Sequence, residues 1–150
     1  MSFSLHANLA SKKHLLDLPL CRVLVENVRH YPWLILVPRR TGLNKVMDLS
    51  AEDRWQLSEE TDLAQRVLWE VTKPTQLNVA ALGNKTPQLH VHVIARFEGD
   101  PAWPGTVWDH PAKEPYDQEA WQTFCVELTR AFARIPTGKS LAAAAKPLYI

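Results

Sequence analysis

Runs of apolar residues separated by short polar stretches mark the strands of this chain. Two runs, residues 21–25 and 33–37, are rich in Val, Ile and Leu, and the polar stretch ENVRHYP lies between them. This pattern predicts two neighbouring strands of a hairpin, the second of which ends at Pro38. Further along, LNVAALGN (77–84) predicts a short strand ending in a Gly-Asn turn, and PQLHVHVIAR (87–96) predicts another strand.

Two longer segments show the spacing of amphipathic helices. The first has Ser50 as its predicted N-cap, carries acidic residues in its first turn and stops at Pro74, which predicts a helix of about six turns. The second begins near Asp117, another predicted N-cap, and runs to Arg134. Because its apolar residues form one stripe, it is expected to cover a face of the sheet. That stripe contains Trp121, Phe124, Cys125, Leu128, Phe132 and Ile135.

The elements therefore run strand, strand, helix, strand, strand, helix. This order predicts an α+β fold, a mostly antiparallel sheet packed with two main helices. A length of 150 residues without an internal repeat or linker predicts a single domain over 1–150. Segment 98–116 is rich in Pro, Gly and Trp, which predicts a long loop with a functional or interface role. The tail, 137–150, ends in apolar residues that would pack on its own subunit or on a neighbour.

Composition narrows the partners and the compartment. Seventeen basic and sixteen acidic side chains give a net charge of +1, and without a basic excess binding to nucleic acid is not favoured. Cys21 and Cys125 stand singly in apolar surroundings, which predicts two buried free thiols in a reducing cytosol. The sequence shows neither a signal peptide nor an apolar stretch of membrane-spanning length. We therefore expect a soluble, cytoplasmic protein with no membrane partner.

Two histidines and a glutamine alternate along the predicted strand 87–96. Side chains at alternate positions share one face of a strand, so Gln88, His90 and His92 are expected to point to the same side. One interpretation is an ordinary polar face in contact with water. A second is a His-x-His metal site, which needs a third ligand such as the distant His30 or His110.

A third interpretation is nucleophilic catalysis by an imidazole. A neutral histidine, with a reference pKa of ~6.5, can attack phosphorus near pH 7. It requires one ring nitrogen aimed at the substrate and an acceptor for the other ring N–H, with hydrogen-bond donors nearby for the phosphate oxygens. The Gly83-Asn84 turn could direct backbone N–H groups at such a phosphate. From these residues alone, the three interpretations stay open.

The segment QLHVHVI is similar to the signature of the histidine-triad (HIT) superfamily of nucleotidyl hydrolases and transferases. That signature is His-φ-His-φ-His-φ-φ, where φ is apolar, and Gln88 replaces its first histidine. LNVAALGN, WLILVPRR and the WPG at 103–105 resemble further family segments, in the same order. The resemblance implies a HIT-like fold, a homodimer, and an enzyme without an obligatory cofactor or metal. Its substrate would be a nucleotide attacked at the α-phosphate, of the dinucleoside polyphosphate or nucleoside phosphoramidate type.

The resemblance also assigns catalytic roles. His90 takes the position of the nucleophile, which forms a covalent nucleotidyl-histidine, and His92 takes a position that contacts the phosphate and the leaving group. Gln88 takes the first position, whose backbone carbonyl is expected to hold the ring N–H of His90. Because a carbonyl survives any substitution, the change to glutamine does not by itself abolish the mechanism. A glutamine side chain cannot carry a titrating proton, however, so an acid role there would be lost.

Other positions complete the expected site. Asn78 and the Gly83-Asn84 turn would contact ribose or phosphate, while Lys85 would either pair with a phosphate or remain solvated. Trp33 occupies a place where one branch of the family has an additional histidine.

For Trp103 and Trp108, loop or dimer packing is favoured over stacking on a base. Two alternatives to the enzyme remain. One is a nucleotide-binding module with weak chemistry, and the other is a His-x-His metalloprotein.

Overall fold

Five strands form one antiparallel sheet in the computed structural model, which describes residues 2–137. The strand order is β1-β2-β3-β5-β4, and each neighbouring pair is antiparallel. Residues 2–12, here called the N-terminal segment, contain the short helix α1, and a 3₁₀ turn Val46–Asp48 precedes α2. The elements are α1 Ala7–Ala10, β1 Lys13–Asp17, β2 Cys21–Val25, β3 Trp33–Pro38, α2 Ala51–Thr72, β4 Gln76–Ala80, β5 Val91–Arg96 and α3 Gln118–Arg134.

The two main helices begin at the predicted caps. The Ser50 hydroxyl accepts a hydrogen bond from the backbone N–H of Asp53 at 3.1 Å, and the Asp117 carboxylate accepts one from Ala120 at 2.8 Å. Each cap satisfies a backbone donor that has no partner within its own helix. Helix α2 ends at Thr72, and its C-cap residue Lys73 adopts the left-handed conformation with φ 50°. These caps explain why local sequence signals located both helices correctly.

The sheet separates two clusters of buried side chains. Helices α2 and α3 cover one face, where they meet alternate strand residues; this cluster includes Leu34, Leu36, Val91, Val93, Leu63, Val67 and Leu128. The other face is covered by the N-terminal segment and by residues 97–117, the loop between β5 and α3. That second cluster includes Leu9, Leu24, Trp33, Ile35, Ile94 and Val107. His92 lies opposite Ile35 and Ala80, which places it on this second face.

Most of the predicted elements are confirmed, but the strand with the histidines is shorter than predicted. It begins at Val91, opposite Leu36 of β3. The same register would place Leu89 opposite Pro38, which has no N–H for the ladder. The Leu89 N–H instead donates to the Leu43 carbonyl at 2.9 Å. Residues 87–90 therefore leave the sheet as irregular backbone just before the first paired residue.

The remaining expectations about the fold have mixed outcomes. The α+β class and the long loop are confirmed, whereas β1 and α1 were not predicted. Cys21 is buried, and this burial strongly raises the pKa of its thiol, but Cys125 is only half-buried, so the expectation of two buried thiols was wrong for Cys125. Among residues 2–137, no helix is both long and apolar enough to cross a membrane. Apart from Thr137, the C-terminal tail lies outside the described residues.

Candidate active site

His90 lies just before β5 with its ring held by the backbone. Its Nδ1 is 2.7 Å from the carbonyl oxygen of Gln88, and the residue is only 7% exposed. A carbonyl oxygen can only accept a hydrogen bond, so Nδ1 carries the ring proton when the imidazole is neutral. The other nitrogen, Nε2, then keeps its lone pair. This is the hydrogen bond that the resemblance predicted for the nucleophile.

His92 is held in the opposite tautomer. The indole N–H of Trp33 on β3 donates to Nδ1 of His92 at 3.0 Å. Because Nδ1 accepts, the proton of a neutral His92 resides on Nε2. Burial, followed by the charges of His90 and Lys12, lowers the pKa of His92 from 6.5 to about 4. His92 is therefore a neutral hydrogen-bond donor near pH 7.

Two tryptophan rings pack around these two histidines. His90, His92, Trp33 and Trp108 form what we call the aromatic cluster. The rings of His90 and His92 meet edge to face with their centroids 5.0 Å apart. Trp108 lies edge-on to His92 at 5.3 Å and to Trp33 at 6.1 Å. Trp108 thus packs on His92 and Trp33 of its own chain and forms a wall of the site; the preference for packing over base stacking stays a prediction.

The side chain of Gln88 is engaged outside the predicted catalytic row. Its Oε1 accepts from the backbone N–H of His6 at 2.7 Å, and its Nε2 donates to the carbonyl of Ser4 at 2.9 Å. Nearby, the Asn8 amide donates to the Thr86 hydroxyl at 3.0 Å. Both contacts fasten the N-terminal segment beside residues 86–88. Gln88 therefore contributes its carbonyl to His90 and its side chain to the N-terminal segment.

Two adjoining cavities open beside the paired histidines. The larger, about 520 Å³, includes His90, His92 and Trp108 in its wall. Its wall is completed by residues 82–86, by Thr106 and Asp109, and by Lys113. The smaller, about 250 Å³, lies towards the N-terminal segment and is lined in part by Lys12 and Glu26. Both are concave spaces with a few polar groups at their walls, as small-molecule sites usually are.

The predicted phosphate turn lies at the larger cavity. Gly83, Asn84 and Lys85 line it together with the two histidines. Gly83 has φ +71°, a conformation in which a side chain is strained. A glycine is therefore required where the chain turns back from β4 towards His90.

Asn78, like Gln88, is a predicted site residue that does not line either of these cavities. It lies on β4 opposite Ile94, and its side-chain oxygen accepts from Nη1 of Arg96 at 2.8 Å. Asn78 does not belong to the described lining of either cavity. Its amide supports the buried guanidinium at the far end of β5.

Arg96 anchors the loop that supplies one wall of the site. It is 2% exposed, and its guanidinium makes two hydrogen bonds to Asp100, at 2.8 and 3.0 Å, and one to the carbonyl of Gly105 at 2.7 Å. Burial opposes ionisation of Asp100, but hydrogen bonds from Arg96 and from backbone N–H groups hold the pKa of its carboxyl below the usual range. This network fixes the 97–117 loop, which carries Trp108 and Lys113 to the cavity.

Two lysines at the site were not identified from the sequence. Lys12 comes from the N-terminal segment and forms an ion pair with Glu26 at 2.8 Å. Lys113 comes from the 97–117 loop and donates to the carbonyl of Trp108 at 2.5 Å. Neither lies in a motif, and only the packing of distant segments on one face brings them to the histidines.

The structure gives little support to the His-x-His metal site that the sequence left open. Across residues 2–137, no three His, Cys, Asp or Glu side chains are grouped as metal ligands. His110, one of the distant candidates, has its Nδ1 3.5 Å from the Tyr31 hydroxyl. His30, the other, lies 3.5 Å from Glu114. The pair His90 and His92 thus gains no third ligand in the part of the chain that is described.

The family follows from similarity to known proteins as well as from this geometry. A family model described as the HIT domain matches residues 8–99, from the N-terminal segment to just beyond β5. The chain therefore belongs to the HIT family, whose members are commonly nucleotide-binding proteins or hydrolases. Among curated protein sequences, none matches this chain significantly.

Three solved structures share the fold over nearly their whole length. A histidine triad protein from Bradyrhizobium japonicum is 44% identical, with a TM-score of 0.85, and the match covers 88% of this chain and 99% of that protein. One from Sinorhizobium meliloti 1021 is 41% identical, with a TM-score of 0.82 and coverages of 86% and 96%. One from Marinobacter aquaeolei VT8 is 38% identical, with a TM-score of 0.85 and coverages of 91% and 100%. The predicted HIT-like fold is thus confirmed.

Proposed function

We propose that this protein is a nucleotide hydrolase or nucleotidyltransferase that acts at the α-phosphate through a covalent nucleotidyl-histidine at His90. The observation that carries the proposal is the hydrogen bond between Nδ1 of His90 and the Gln88 carbonyl. It leaves Nε2 unprotonated on a residue that lines a cavity of about 520 Å³. An imidazole in this tautomer is a competent nucleophile at neutral pH.

The first chemical step forms a bond between Nε2 of His90 and the α-phosphorus. As this bond forms, the bond from phosphorus to the leaving group breaks, and its electron pair departs with the leaving group. The ring of His90 then carries a positive charge, since Nδ1 retains its proton. The Gln88 carbonyl stabilises that charge by accepting the N–H.

The second step releases the nucleotide. The oxygen of a water molecule, or of another acceptor, bonds to phosphorus, and the N–P bond breaks with its electron pair returning to Nε2. The proton of the attacking group passes to solvent. Neither step requires a cofactor or a redox partner.

Two lysines and several uncharged polar groups around the cavity support binding of a phosphate. The Gly83-Asn84 turn and Lys85 lie on one side of His90, and Lys113 lies on another. The neutral His92 offers a hydrogen-bond donor from Nε2. In this proposal, these groups bind the phosphate oxygens whose charge changes during the transfer.

The replacement of the first histidine by Gln88 is compatible with this chemistry. The nucleophile uses the backbone carbonyl of residue 88, which every amino acid has. The side-chain amide is occupied by Ser4 and His6 of the N-terminal segment. A nucleotide-binding module with weak chemistry remains the alternative, because glutamine adds no titrating group to the site.

Intact-mass measurement tests the proposal directly. The full chain is incubated with a panel of dinucleoside polyphosphates and nucleoside phosphoramidates and is then quenched quickly. We expect a nucleotidyl adduct in the wild type, none in His90→Ala, and an unchanged adduct in His14→Ala. His14 is a matched control because it is an exposed histidine on β1.

Two results would contradict this proposal. An adduct that persists in His90→Ala would place the chemistry on another residue. Nucleotide binding without adduct or turnover would favour the binding module.

The homodimer implied by the family resemblance stays a prediction, which light scattering can check. Exposed Val79 and Leu82, on and just after the edge strand β4, support it.

A further inference from the structure

We propose that Trp33 is a positioning residue that keeps His92 as a neutral donor, so that the site favours leaving groups that depart as anions over amines that must gain a proton. The inference rests on the proposed function, because it concerns the leaving group of that reaction. It adds Trp33 to the residues of the proposed site, and it adds a preference between substrate types. Of the two substrate types considered above, it selects phosphoanhydrides over phosphoramidates.

The geometry of Trp33 determines the tautomer of His92. An indole N–H can only donate, and it points at Nδ1 of His92 from 3.0 Å. A proton added to Nδ1 would place two N–H groups against each other and would leave the Trp33 N–H without its acceptor. An unsatisfied buried donor is costly. Protonation of His92 therefore requires this hydrogen bond to break.

The hydrogen bond to His92 and the packing of Trp108 orient the indole of Trp33, which also borders the smaller cavity. Trp33 lies on the central strand β3 and is only 4% exposed. Trp108 packs edge-on against it, with ring centroids 6.1 Å apart. Rotation of the indole would therefore break its hydrogen bond to His92 and its edge-on contact with Trp108.

The groups facing His92 from other elements do not favour an imidazolium either. His90 lies just before β5, Lys12 comes from the N-terminal segment, and Lys113 comes from the 97–117 loop. Two carboxylates share these cavities. Glu26 is paired with Lys12, and Asp109 is exposed. The result agrees with the lowered pKa of His92.

The consequence concerns the proton that a leaving group needs. Cleavage of a phosphoanhydride breaks a P–O bond and places the electron pair on a phosphate oxygen, which is stable as an anion. Cleavage of a phosphoramidate breaks a P–N bond, and the departing nitrogen must take a proton to leave as an amine. Neutral His92 donates a hydrogen bond but is a poor proton donor. Gln88 and Trp33 carry no titrating proton, whereas a histidine in their places would carry one.

Nitrogen-15 NMR of the histidine rings tests the role of Trp33 without any substrate. In the labelled full chain we expect His92 to have a protonated Nε2, an unprotonated Nδ1 and no titration above about pH 5. In Trp33→Phe, which keeps an aromatic ring but lacks the N–H, we expect mixed tautomers and titration at higher pH. Trp108→Phe is the matched control, because its ring also packs on His92 but the indole donates nothing to it.

Two NMR results would overturn the positioning role. One is a protonated Nδ1 on His92 in the wild type at pH 7, which needs no variant to fold. The other is an unchanged His92 tautomer and titration in Trp33→Phe. The same changes appearing equally in Trp108→Phe would show general loosening of the aromatic cluster and would also count against Trp33.

Paired substrates test the leaving-group preference. The wild type is assayed with a dinucleoside polyphosphate and a phosphoramidate of the same nucleoside, and kcat/KM is compared at pH 7. Loss of general acid assistance predicts a value for the phosphoramidate lower by about 10²- to 10⁴-fold. Equal or faster cleavage of the phosphoramidate would overturn the preference. If neither substrate is turned over, the proposed function fails and the preference fails with it, while the tautomer result stands separately.

Discussion

The buried neutral state of His92 should make folding of this protein sensitive to mild acid. The folded protein lowers the pKa of His92 from 6.5 to about 4, and we take the first value for the unfolded chain. Between these two pH values the unfolded chain binds a proton that the folded protein does not bind. Stability from this residue is therefore fully present above pH 6.5 and is lost as pH falls towards 4.

The size of this stability loss follows from the difference between the two pKa values of His92. The full difference corresponds to about 3 kcal/mol of unfolding free energy, most of which is already lost at pH 4.5. A loss of this size is a large fraction of the stability of an ordinary domain. Because His92 is 7% exposed, screening by solvent reduces the effect little.

Urea unfolding at several pH values measures this contribution. The wild type and His92→Asn are compared from pH 7.5 to pH 4.5, since asparagine does not titrate and its side-chain oxygen can still accept from Trp33. Other titrating groups are common to both proteins, so the difference between the two curves isolates His92. We expect the wild type to lose about 2–3 kcal/mol more than the variant over this range. Parallel curves would refute a buried neutral His92.

Two further predictions concern the supports of the site. Arg96→Met should lower the unfolding free energy by about 3–5 kcal/mol, because it leaves the buried carboxylate of Asp100 unpaired. Urea unfolding measures this loss. The double variant Arg96→Met with Asp100→Asn should recover part of it. Gln88→Ala should release the N-terminal segment, because two hydrogen bonds disappear. Hydrogen exchange at the His6 amide should then be faster, and an unchanged exchange rate would contradict the fastening role of Gln88.

Some features of the fold could be predicted because their signals are local. The caps of α2 and α3, and the apolar runs of β2 and β3, depend on residues within a few positions of one another. Strand β1 gave no such signal, since it is an edge strand whose residues are exposed or half-buried. The early start predicted for β5 failed because Pro38, on a different strand, ends its ladder.

The features of the site can also be separated into those that the sequence predicts and those that only the tertiary structure decides. The sequence by itself determined the nearness of His90 and His92, because they are only two residues apart, whereas the hydrogen bond from the His90 ring to the Gln88 carbonyl was expected only from the family resemblance. Only the tertiary structure decided that Trp33, 59 residues from His92, donates to its ring, and that Asn78 binds Arg96 instead of lining the cavity. These contacts depend on strand register and on loops packed across one face of the sheet. Such distances along the chain leave no local pattern for a sequence to display.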